Sequence, residues 1–145
     1  MRLILQRVSA AEVRVAGEVV GRIGRGMLVL VGVEKGDGPA QAAAAAAKLG
    51  HLRIFEDAEG RMSLGPAEAG ADFLVVSQFT LAGSLDRGRR PSFDAAAPPE
   101  AAEPLVERLV EELRRAGHRV ETGRFRARME VELVNDGPVT FVLDV

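Results

Sequence analysis

A run of residues with no polar interruption sets the tightest limit on this fold. Met27-Leu28-Val29-Leu30-Val31-Gly32-Val33 leaves no position that prefers water. A strand with one wet face alternates apolar and polar residues, so an unbroken run belongs where both faces are covered. That predicts a central strand. A second run, Asp72-Phe73-Leu74-Val75-Val76-Ser77-Gln78-Phe79, is as apolar through Val76 and then ends in Ser77, Gln78 and Thr80. Polar residues at the end of a buried strand are where function is often placed.

Shorter β-prone runs surround these two. Leu3-Ile4-Leu5 through Val8, Ala11 to Val15, and Glu18 to Ile23 read as an antiparallel meander, the last two joined by an Ala16-Gly17 turn. Leu52-Arg53-Ile54-Phe55 reads as a short strand, Asp57 to Gly60 as a turn, and residues 61 to 71 as loop. Two helices are predicted. Pro39 suits a first helical position, where its missing N–H costs nothing, ahead of Ala42 to Ala47. Alanine has the highest helix propensity and lets a helix lie close on a sheet. In the second helix Leu105, Val106, Leu109, Val110 and Leu113 form one apolar stripe, with Glu100 and Glu103 toward its start, Arg114 and Arg115 near its end, and Gly117 as a cap. Pro104 requires that helix to begin there or to kink.

At 145 residues the chain fits one domain, a size that buries about 68 to 70% of its unfolded surface. No repeat or boundary divides it. A net charge of −2 excludes a globally basic nucleic-acid binder and leaves room for local basic patches. The absence of cysteine excludes disulfides, Cys-based zinc sites and thiol nucleophiles, and it fits a reducing compartment. The N-terminus is charged within two residues and the longest apolar run is too short to span a bilayer. A soluble, cytoplasmic protein is expected.

Side-chain catalysts are scarce. His51 and His118 are the only histidines, neither with a partner at ligand spacing, and no HExxH, Walker, GxSxG or GxGxxG pattern occurs in context. No designed metal site is expected. An enzyme built on this chain would work through oriented backbone amides, a hydroxyl such as that of Thr80, or a group supplied by the substrate. The loop Arg87-Gly88-Arg89-Arg90-Pro91-Ser92-Phe93 combines guanidinium forks, a flexible glycine and an aromatic ring, which suits phosphate and RNA contact as well as a plain solvated loop. Arg124, Arg126 and Arg128 are spaced by two, which on a strand would point all three to one face. Two arginine clusters beside polar strand ends hint at an anionic substrate.

Near the C-terminus, Asn135-Asp136-Gly137-Pro138-Val139-Thr140 lies between the strand-like runs Met129 to Val134 and Thr140 to Leu143. Its composition predicts a tight connection of the hairpin kind. Its Gly-Pro link permits more, because the cis isomer of an X-Pro bond lies within about 0.5 to 1 kcal/mol of trans. Gly137 also reaches positive φ and admits close approach by another molecule.

Several motifs together resemble the D-aminoacyl-tRNA deacylase family. They are Gln6-Arg7-Val8-Ser9, Gly32-Val33-Glu34-Lys35-Gly36-Asp37, Leu52-Arg53-Ile54-Phe55-Glu56-Asp57, Ser77-Gln78-Phe79-Thr80, Gly88-Arg89-Arg90-Pro91-Ser92-Phe93, Thr122-Gly123-Arg124-Phe125 and Asn135 to Thr140. They run in the family's order from end to end. The resemblance implies a single-domain α+β fold over residues 1–145, with a mostly antiparallel, barrel-like sheet and two main helices packed on it, assembled as a homodimer. It implies hydrolysis of the ester joining a D-amino acid, and glycine as well, to the 3′ acceptor end of tRNA, with no cofactor and no metal.

The same resemblance distributes roles. Main-chain N–H groups around Phe79 and Thr80 would hold the oxyanion, helped by the terminal ribose 2′-OH, with Ser77 in the catalytic strand end and Gln78 orienting the site. Thr80 lacks an activating neighbour and would position rather than attack. Phe125 and Met129 would form the wall. Gly137 and Pro138, as a Gly-cisPro pair, would enter a partner subunit's site and exclude L side chains. Arg7, Arg87, Arg89 and Arg90 would contact tRNA. The sequence departs from the family pattern at Arg126, usually glycine, at Arg128, usually acidic, and across Leu81 to Asp86. A non-catalytic dimeric RNA-binding module and a small-ligand module of the same fold stay open as alternatives.

Overall fold

A computed structural model describes residues 1–86 and 88–145 of the chain. Strand β1 (Arg2–Val15) is the longest of the first half and is followed by β2 (Glu18–Ile23) and β3 (Gly26–Gly32). Helix α1 (Pro39–His51), the hairpin β4 (Phe55–Glu56) and β5 (Met62–Leu64), and the short α2 (Pro66–Ala69) lead to β6 (Asp72–Ser77). A 3₁₀ turn (Phe79–Ala82), α3 (Pro99–Arg115), β7 (Val120–Thr122) and β8 (Glu130–Asp144) complete the chain.

Both apolar runs are internal strands of the sheet, as expected for the first of them. In β3, Met27, Val29 and Val31 face a core shared with α1 and α3, while Leu28 faces a second, smaller core. In β6, Phe73 and Val75 face the first core, and Leu74 and Val76 the second. Helices cover one face and the curl of the sheet covers the other, so neither strand offers a polar side. The polyalanine segment belongs to the same logic. Ala42, Ala45 and Ala46 are buried beside Leu49, their small side chains letting α1 approach the sheet.

The sheet is mixed, barrel-like and nearly closed. β1 pairs antiparallel with β3 through its first half, with β2 through its second, and with β8 along almost its whole length. β3 pairs parallel with β6, and β6 parallel with β7. Across the remaining gap β7 comes against β2 so closely that a Cβ on Gly21 would collide with the carbonyl oxygen of Thr122. No helix among the described residues is long and apolar enough to cross a membrane.

Several local expectations change. The first two predicted strands are one, because β8 pairs across the region that looked like a break. Ser9 and Ala10 are exposed there, and the alternation shifts by one residue, so Leu3 and Leu5 face the helices whereas Val8, Ala11 and Val13 face the barrel interior. The segment taken as loop contains β5 and α2. Pro104 sits inside α3, which begins five residues earlier at Pro99. His118 packs edge-on against Phe73 at 5.1 Å. Burial there pushes its imidazole below the usual range, with a smaller contribution from the charge of His51.

The C-terminal hairpin is also corrected. Both predicted strands belong to β8 and run in the same direction along β1, with Asn135 opposite Val8 and Thr140 opposite Gln6. Asp136 to Val139 therefore bulge out of a continuous strand instead of reversing it.

Candidate active site

Three parallel strand ends define the site. Ser77, the last residue of β6, pairs with Val31 of β3, and Thr122, the last of β7, pairs with Val75. Beyond them the Gln78 N–H donates to the Val31 carbonyl at 2.8 Å and the Gly123 N–H to the Val75 carbonyl at 3.1 Å. Parallel strands leave their crevice at the carboxyl ends, and here it is a cavity of about 530 Å³. Val31, Val76, Met129 and Val131 line its sheet side, and Pro99, Ala102 and Val106 of α3 line its opposite side.

Of the residues expected in the site, Ser77, Gln78, Phe79, Phe125 and Met129 line this one cavity. Thr80 lies beside it, exposed, with its hydroxyl accepting a 2.6 Å hydrogen bond from Gln78 Nε2. The chain turns sharply after Gln78 into the 3₁₀ turn, whose first N–H groups have no partner within it. They belong to Phe79 and Thr80, since the carbonyls of Gln78 and Thr80 accept from Leu81 and Gly83. Phe79, 58% exposed, rests edge-on against Phe93 at 5.1 Å. Backbone hydrogen bonds of 2.8 and 3.0 Å between Ser84 and Ser92 close the base of the basic loop. Arg89 and Arg90 are exposed on it, and Arg87 lies outside the described residues.

Met129 is fixed from two directions. Its sulfur accepts from the Arg124 N–H at 3.3 Å, and a Cβ on Gly123 would lie 2.7 Å from that sulfur. Neither histidine lines the cavity, and no group of three or more acidic or histidine side chains suited to a metal gathers among the described residues.

The arginine cluster is not a common face. Residues 123–129 turn instead of extending, with the Ala127 N–H donating to the Arg124 carbonyl at 3.2 Å and Arg126 at φ +61°. Arg126 lines the cavity, whereas Arg124 and Arg128 border two other depressions.

Arg7 is placed differently from the expected tRNA contact. It is only 4% exposed, and its guanidinium donates to the carbonyl of Asp136 at 2.9 Å, to that of Ile54 at 2.8 Å and to Glu56 Oε1 at 3.2 Å. A side chain so buried and so fully engaged within its own chain anchors the Asp136 to Val139 bulge and does not fit an RNA contact. Asn135 holds the bulge's other end, its Oδ1 accepting from the Val139 N–H at 2.7 Å and its Nδ2 donating to Thr140 Oγ1 at 2.9 Å. The Gly137-Pro138 bond is cis, both residues are exposed, and neither lines the cavity of its own chain.

Sequence reasoning missed the contribution of α3 to the wall. Pro99, Ala102 and Val106 extend the apolar stripe of Leu109 and Leu113 toward the helix start, so the signal was present as an overlong stripe.

Fold and cavity together define a class, that of small α+β barrel proteins with a cavity at parallel strand ends. Within it the chain belongs to the D-Tyr-tRNA(Tyr) deacylase family, whose model matches residues 4–144. It is 60% identical over 144 residues to the D-aminoacyl-tRNA deacylase of Anaeromyxobacter dehalogenans (strain 2CP-C), covering 99% of this chain and 97% of that protein. To the D-aminoacyl-tRNA deacylase of Symbiobacterium thermophilum it is 58% identical, covering 99% and 95%. A solved structure titled c-Myc DNA Unwinding Element Binding Protein superposes with a TM-score of 0.94 at 38% identity, covering 100% and 99% of the two chains. A probable eukaryotic D-amino acid tRNA deacylase superposes with a TM-score of 0.86 at 21% identity, over 99% and 98%, a likeness of fold.

Proposed function

We infer that the protein hydrolyses the ester of D-aminoacyl-tRNA to free D-amino acid and tRNA, and does the same to glycyl-tRNA. The observation that carries this reading is the cavity at the β6 end, where the family motif residues Ser77, Gln78 and Phe79 meet Phe125 and Met129. Its volume suits a terminal nucleoside with its amino-acid ester. The N–H groups of Phe79 and Thr80 are the donors for an oxyanion at the ester carbon, and preorganised donors of this kind can carry much of a rate enhancement. The neighbouring ribose 2′-OH assists attack by water. In the balanced reaction water adds to the carbonyl carbon, the bond to the ribose 3′ oxygen breaks, and that oxygen takes the proton.

Chirality is read by a second copy of the chain. Gly137 and Pro138 project, exposed, from a bulge that Arg7 and Asn135 hold rigidly, and they stand apart from the cavity of their own chain. The segment therefore suits insertion into a partner's cavity. There its carbonyls fix the substrate amino group and occupy the volume an L side chain would need, while glycine escapes exclusion. Arg87, Arg89 and Arg90 receive the tRNA backbone. A solution mass of two 15.4 kDa chains is expected, and a single-chain mass would count against the shared site.

The activity test is release of D-amino acid from D-aminoacyl-tRNA with the tRNA left intact; binding without turnover would support the RNA-binding alternative. Thr80 serves in positioning, its hydroxyl held by Gln78. Thr80→Ala is expected to lower kcat by about tenfold, and a loss beyond about a thousandfold, the scale of a chemically essential group, would make Thr80 the nucleophile.

A further inference from the structure

Among the described residues Arg126 is the one charged side chain on the wall of the cavity; the other lining residues are apolar or, as in Ser77 and Gln78, neutral. Its backbone lies at φ +61°, a left-handed conformation that a bulky L residue holds only when its surroundings impose it. The turn from Arg124 to Ala127 imposes it here. The side chain is exposed, and among the described residues no carboxylate pairs with it, whereas Arg7, Arg14 and Arg119 are each paired. An unpaired guanidinium beside an otherwise uncharged cavity is a receptor for an anion, and its planar fork matches two phosphate oxygens.

We propose that Arg126 binds the phosphodiester that precedes the terminal nucleoside of the aminoacylated acceptor end. The assignment rests on the reading of the protein as a D-aminoacyl-tRNA deacylase. A cavity of about 530 Å³ accommodates one nucleoside and its ester, which brings the first backbone phosphate to its mouth. Arg124 and Arg128 border other depressions and do not share this contact. The site therefore takes one phosphate through one guanidinium.

The test compares 3′-O-D-aminoacyl-adenosine with its 5′-phosphorylated form, using the wild type, Arg126→Gly and Arg126→Lys. Glycine accepts φ +61° without strain, so Arg126→Gly keeps the turn while removing the whole side chain, and Arg126→Lys keeps a charged side chain at that position. The wild type is expected to favour the phosphorylated ester by about tenfold in kcat/KM, carried by KM, as for one charge-assisted contact. In Arg126→Gly that ratio falls to about one, and Arg126→Lys restores part of it. With full-length D-aminoacyl-tRNA, the slope of log kcat/KM against log salt becomes shallower by about one in Arg126→Gly. An equal preference in wild type and Arg126→Gly, or an unchanged slope, overturns the contact. If the wild type cleaves neither these esters nor D-aminoacyl-tRNA, the deacylase reading fails, and binding of adenosine 5′-monophosphate against adenosine decides the contact separately. Tighter binding of the monophosphate that is lost in Arg126→Gly supports it; equal binding overturns it.

Discussion

Arg7→Met is expected to lower stability by about 2 to 3 kcal/mol, a fall in Tm of roughly 6 to 10 °C for a chain of this size. Methionine keeps the apolar stem and removes every donor. The Ile54 carbonyl loses a buried partner, and the Asp136 carbonyl loses the bond that ties the bulge to β1. The loss is smaller than for a fully buried ion pair because Glu56 is 53% exposed and recovers water when left alone. For the same reason Glu56→Gln, which keeps shape and one hydrogen bond, should cost less than about 1 kcal/mol. The functional consequence is separable from the thermal one. With the anchor gone, the Gly137-Pro138 segment moves relative to its strand, so hydrolysis of L-aminoacyl-tRNA should rise while that of the D form changes less. Thermal unfolding and paired D and L assays check the two halves. A Tm within about 1 °C of wild type would show that Arg7 does not anchor the bulge.

Gly26→Ala is expected to cost about 3 kcal/mol or more, for a reason in the backbone. Gly26 opens β3 opposite Asp72 of β6, and an added Cβ would collide with the Asp72 carbonyl oxygen and come within 2.9 Å of Ile23 Cδ1. A carbonyl held in a parallel ladder cannot swing aside as a side-chain tip can, so β3 and β6 would have to part where both cores meet them. Gly24→Ala, two residues earlier, has nothing within 4 Å of the new methyl and should fall within about 0.5 kcal/mol of wild type. Denaturant unfolding of both variants makes the comparison. Equal stabilities would mean that the β3 and β6 ladder tolerates a methyl, contrary to the geometry.

What could be read from the sequence follows from the range of the forces involved. The two apolar strands were legible because burial on both faces removes polar residues from a run, and Pro39 because the first helical turn tolerates it. The fusion of the first two strands was not, since exposed Ser9 and Ala10 look like a break and only pairing with β8, more than a hundred residues away, carries the strand across. The hairpin at Asn135 to Thr140 fails for a related reason. Gly, Pro, Asn and Asp mark a chain that leaves regular structure, and they do not say whether it then reverses or continues. Register on β1 decides that. Arg124, Arg126 and Arg128 were assigned a strand period where the chain turns, so their common face dissolves. The cavity residues Ser77, Gln78, Phe79, Phe125 and Met129 came from motif order, whereas Pro99, Ala102 and Val106 were hidden inside a stripe that also serves the core.

The central claim is stereoselective deacylation, and matched substrates test it most directly. The same tRNA is charged with the D and the L form of one amino acid, and ester loss is followed for both at equal enzyme concentration. Hydrolysis of the D form at least about a thousandfold faster is expected, a difference of about 4 kcal/mol between transition states. Comparable hydrolysis of the two forms, or of the L form alone, would contradict it.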